Sequence, residues 1–60
     1  MSEAEQIAKR FHESYEALAP LFDYKTRVDS NKPWADVPQA NKQLMIAVVQ
    51  DLLDHGVIKV

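Results

Sequence analysis

The chain has 60 residues, with seven Lys or Arg against nine Asp or Glu and no cysteine. Its length lies near the lower limit for folding without disulfides, metal or association, and the missing thiols exclude a disulfide framework and a thiolate zinc site. A net charge of −2 with both signs mixed argues against nucleic-acid binding, which depends on clustered Lys and Arg neutralising phosphates.

The N-terminal residues Met1-Ser2-Glu3-Ala4-Glu5 are acidic, unlike a secretory signal. No apolar run approaches the roughly 18 residues of a bilayer span. The expected setting is the cytoplasm, away from membranes. Ser2 followed three residues later by Glu5 is a capping-box pattern that opens a helix at about Glu3. Ala4, Ile7, Ala8, Phe11, Tyr15, Leu18 and Ala19 then recur at three- and four-residue steps, giving one narrow apolar stripe. Pro20 ends this helix at about Ala19, because the residue before proline avoids the α region.

Leu21 and Phe22 are expected to close the core below the helix. The next eleven residues, 23–33, have no helical period. Tyr24, Thr26 and Val28 alternate with Lys25, Arg27 and Asp29, as in a brief extended segment. Asp29-Ser30-Asn31 carries turn chemistry, since these side chains hydrogen-bond to nearby backbone. Lys32-Pro33-Trp34-Ala35-Asp36-Val37-Pro38 follows, with the only Trp and two of the three prolines. The prolines hold Lys32 and Val37 out of the helical region. A tight turn between them puts Trp34 and Val37 on the same side, which makes Trp34 the central core residue. Pro38 suits the first position of a second helix, and Asp36 is placed to cap it.

The second helix is expected from about Pro38 to His55. Its apolar residues cover far more than a third of its circumference, more than the first helix can bury. Either the middle loop and the tail wrap over that excess or a second chain does, and the second reading nominates Met45, Ile46, Val49 and Leu53 as an interface for an unknown protein partner or for a second copy. Gly56 fits the left-handed position after the helix, with Val57 able to reach Leu52 in a Schellman contact. The tail Val57-Ile58-Lys59-Val60 is strand-prone but short. The whole chain reads as one small all-α domain of two amphipathic helices joined by a long loop.

Little in the sequence suits catalysis, and no cofactor is expected. The Ser and Thr residues lack a nucleophile signature and there is no Gly-rich phosphate loop. His12 and Glu16 lie one helical turn apart, a spacing too common to define a metal site alone. Glu13 and Asp36 could pair as acid and base only if the fold brings them together. Lys25, Arg27 and Lys32 form a small basic group near Tyr24 and Trp34. In a ligand-binding alternative, Arg27 grips the phosphate of a nucleotide or similar anion while Tyr24 or Trp34 stacks on a base.

Two blocks together resemble the ryanodine-receptor-type repeat domain, a small helical module also found in bacterial and phage proteins. Ile7-Ala8-Lys9-Arg10-Phe11-His12-Glu13 is similar to that family's I-A-x-x-x-H-E opening helix. Trp34-Ala35-Asp36-Val37-Pro38, followed by Lys42 and Val48, is similar to its W-x-D-x-P turn and following helix. The chain also resembles short phage and prophage proteins with a Trp-x-Asp-Val/Leu-Pro turn before a Leu-Met-rich helix. One departure is Tyr15, where the family often carries Asn. The resemblance implies a helical fold and nominates His12, Glu13, Trp34 and Asp36, either as a structural signature or as a pocket. The reading favoured here is structural, with His12 bonding across to the Trp turn.

Overall fold

A computed structural model describes residues 2–26 and 31–59. Helix α1 spans Glu3–Leu18, a 3₁₀ turn follows at Ala19–Phe22 and another at Trp34–Asp36, and helix α2 spans Gln39–Asp54. The described residues contain no strand, and the described part of the tail is turn and bend. The fold is all-α. Of the expected extended segment and turn, Arg27, Val28, Asp29 and Ser30 lie outside the described residues.

The ends of both helices follow from local chemistry. Ser2 Oγ accepts a hydrogen bond from the Glu5 backbone N–H at 3.1 Å, satisfying one of the orphan donors of the first turn. Pro20 falls in the first turn of the 3₁₀ segment, where its missing N–H costs nothing. Asp23 then takes a left-handed conformation with φ 57°, and Tyr24 N–H returns to the Ala19 carbonyl at 3.0 Å. This reversal directs Leu21 and Phe22 outward, so they do not close the core. They are 76% and 77% exposed, while Ala19 is the buried member of the turn.

Helix α2 starts one residue later than expected. Pro38 is its N-cap, with no capping bond from any side chain. The assignment of Asp36 as a cap is therefore corrected. Asp36 sits inside the 3₁₀ turn, two residues ahead of the cap position, with its N–H bonded to the Pro33 carbonyl. At the other end the Schellman pattern is complete. Gly56 N–H reaches the Leu53 carbonyl, and Val57 N–H reaches the Leu52 carbonyl. Gly56 has φ 68°, a conformation glycine adopts without strain. Val57 stays exposed, and it is Ile58 that packs against the core.

The two helices lie side by side as one layer, and the molecule is only 14 Å across its thinnest dimension. The core is built on small residues. Ala4 and Ala8 of α1 meet Trp34 and Val49, with Ile7, Met45, Ile46, Leu53 and Ile58 packed around them. The alanines let the helices approach closely, and no described large side chain is completely buried. Of the two covers expected for the apolar width of α2, the tail supplies Ile58, packed against the core, and the residues nominated as an interface turn inward. Met45, Ile46, Val49 and Leu53 face α1 as core, while Leu44 and Val48 are exposed.

Candidate functional site

The two sequence blocks meet across α1 and the Trp turn. His12 is buried, and its Nε2 lies 2.6 Å from the Lys32 carbonyl oxygen. A carbonyl only accepts, so Nε2 carries the hydrogen and donates. The imidazole also packs on Trp34, with ring centroids 5.8 Å apart and planes tilted by 55°. Lys42 Nζ also stands over the indole, 5.8 Å from its centroid, within cation–π range, and donates to the Ala35 carbonyl at 3.2 Å. One histidine and one lysine, from different helices, thereby clamp the turn.

This arrangement takes Trp34 out of the ligand-binding constellation. It is only 7% exposed, whereas a stacking platform must offer an open ring face. Tyr24 is 58% exposed and lines other clefts than Trp34 does. Arg27 lies outside the described residues. Glu13 borders a shallow groove between α1 and the Trp turn, with Lys9, Glu16 and Lys32; Asp36 is not part of it. The possible acid–base pair is therefore not assembled there. His12 and Glu16 gain no third ligand: among the described residues no group of three His, Cys, Asp or Glu could hold a metal ion.

A different surface carries the exposed aromatic residues. Phe11, Tyr15 and Leu18, at the far end of the apolar stripe, are 56%, 44% and 51% exposed; exposed Phe22 and Tyr24 join them around one hollow, and Leu21 is exposed as well. The cause is the offset of the helices. Asn41 and Met45, early in α2, share a cleft with Tyr15 and Glu16, so the last turn of α1 and the 3₁₀ turn extend past the start of α2. All aromatic side chains other than Trp34 thus lie at one end of the molecule. The sequence signal that could have found this surface is its density: four aromatic residues within 14 positions, between Phe11 and Tyr24.

The rings are ordered relative to each other. Phe11 and Tyr15 stack with centroids 6.0 Å apart and planes at 25°. Tyr24 stands edge-on to Tyr15, at 6.2 Å and 88°. One side of this group borders an apolar hollow of about 440 Å³ with Leu18, Ala19 and Phe22. The other side borders a smaller pocket of about 220 Å³ with His12, Glu16, Thr26, Asn41 and Met45. Thr26 Oγ1 donates to Glu16 Oε1 at 2.9 Å, fixing the carboxylate at the pocket wall. The Tyr15 phenol is raised above its ordinary 10.0, chiefly by a side-chain hydrogen bond with Tyr24, then by partial desolvation and by the negative charge of Tyr24 and Glu16. Among the described residues no helix is long and apolar enough to cross a membrane. No family model matches the chain, and neither a curated protein nor a solved structure matches it.

Proposed function

We propose that the chain is a non-enzymatic interaction module that pairs with a second copy of itself through the face made by Phe11, Tyr15, Leu18, Phe22 and Tyr24, which border one apolar hollow. The observation that carries this reading is the exposure of those five side chains, from 44% at Tyr15 to 77% at Phe22. With roughly 200 Å² for a large side chain, they present about 570 Å² of surface. That is at the upper end of the roughly 300–600 Å² of the largest apolar patch on an ordinary monomer, a size often functional, and a standard interface takes about 800 Å² from each partner, rim included. None of the five is charged, so the face can meet its own two-fold copy without like-charge repulsion.

The face replaces the one expected from sequence on Met45, Ile46, Val49 and Leu53, which belong to the core. The two blocks that carry the likeness to ryanodine-receptor-type repeats and to small phage proteins meet at His12 and Trp34. On that basis we read those two positions as structural, and Glu13 and Asp36 as solvated neighbours. Sedimentation equilibrium tests the proposal. The native chain is expected to form dimers that dissociate on dilution, and Phe22→Glu is expected to sediment as a monomer with unchanged helical circular dichroism. A native chain that stays monomeric at every concentration would refute it.

A further inference from the structure

We propose that the pocket of about 220 Å³ between Phe11, Tyr15, Tyr24 and Glu16 binds a methylated ammonium group. The site uses three of the rings of the dimer face, but on their opposite side, toward Asn41 and Met45, and it stands on its own geometry.

The walls fit a cation of this kind. Phe11 and Tyr15 lie nearly parallel, and Tyr24 closes a second side at a right angle. Ring faces carry negative electrostatic potential and attract a cation held within about 6 Å. Glu16 is the one carboxylate among the lining residues, and the Thr26 hydroxyl holds one of its oxygens at 2.9 Å. No described Lys or Arg lines the pocket, and the chain as a whole is negative.

The degree of methylation follows from desolvation. A primary ammonium has three N–H donors that must keep partners, and ring faces replace water poorly as acceptors. A trimethylated head has no such donors, so it enters the rings without leaving a polar group unsatisfied. Size sets the other limit. The pocket is smaller than the roughly 300–1,000 Å³ of drug-sized sites, so it takes a head group and excludes a nucleotide.

The test is a ¹H–¹⁵N and aromatic ¹H–¹³C titration with choline, and with the neutral alcohol in which carbon replaces the choline nitrogen. Choline is expected to shift the Tyr15 and Tyr24 ring signals and to bind about tenfold tighter than its neutral counterpart, the contribution of charge over rings. Glu16→Gln and Tyr24→Leu, both at surface-accessible positions, are each expected to weaken choline binding severalfold with the helical spectrum intact. Equal binding of the two alcohols, no shift at the rings, or full binding by both variants would overturn the proposal. Repeating the titration in Phe22→Glu separates cation binding from self-association. A peptide carrying trimethyllysine, compared with choline, identifies whether the head group arrives free or on a protein.

Discussion

His12 has a larger structural role than its place on a solvated-looking helix suggests. Its ring is buried, it gives a hydrogen bond to a carbonyl twenty residues away, and it packs on the one Trp. Replacing it leaves the Lys32 carbonyl without its donor and opens a gap beside the indole. His12→Ala is expected to lose about 2–3 kcal/mol, read by urea denaturation followed through Trp34 emission. An exposed site would lose under about 0.5 kcal/mol, and a loss that small would sink the clamp described above. Tyr15 gives a second residue-scale prediction, at alkaline pH. Because its folded-state pKa is raised above the unfolded value, the folded chain holds that proton more tightly. Its contribution is fully present below the unfolded pKa, near 10.0, and is lost as pH rises through the higher folded value. Stability should fall in that alkaline window. Tyr24→Phe, which removes the main cause of the shift, should flatten the fall, and tyrosinate absorbance would report the change in titration.

Local chemistry decides how each element starts and stops, and much of it is legible in the sequence. Ser2 and Glu5 announce the first cap and Gly56 the close of α2, and the structure contains both. Pro20 marks only the change from α to 3₁₀ helix: Ala19 before it keeps α-region backbone, with φ −52° and ψ −45°, and the chain reverses at Asp23 instead. Gly56→Ala isolates the backbone component. No atom lies within 4 Å of where its Cβ would stand, so the cost is that of the left-handed conformation alone, about 1 kcal/mol by thermal denaturation. A larger loss would mean that the tail had come away from the core. What the sequence left illegible is the offset between helices. Periodicity shows that Phe11, Tyr15 and Leu18 share a stripe with Ala4 and Ala8, but not how far along that stripe the partner helix reaches. The same gap misplaced the interface on α2, since apolar width does not say which part of the width meets α1. Asp36 erred by register. It precedes the cap position by two residues, and a proline occupies the cap.

A single layer of two helices buries little. Among the described residues Ala4, Ala8, Ala19, Val37, Val49 and Trp34 make up the buried apolar set, and small side chains contribute little each at about 25 cal/mol per Å². A core this modest leaves stability dependent on what covers the exposed aromatic end. If a second copy covers it, folding and association are linked, and the melting temperature should rise with protein concentration. Calorimetry over a hundredfold concentration range (on the order of two decades) checks this. A melting temperature independent of concentration in the native chain would count against pairing in the folded state.

The position of Trp34 gives the chain a built-in gauge. The lone indole touches an imidazole from one helix and an ammonium from the other, at the turn that joins them. Its fluorescence therefore responds to the assembly of both helices together, and an isolated helix that forms without its partner leaves it unchanged. Comparing the stopped-flow time courses of indole emission and of far-ultraviolet ellipticity would time clamp closure against helix formation, with no label added.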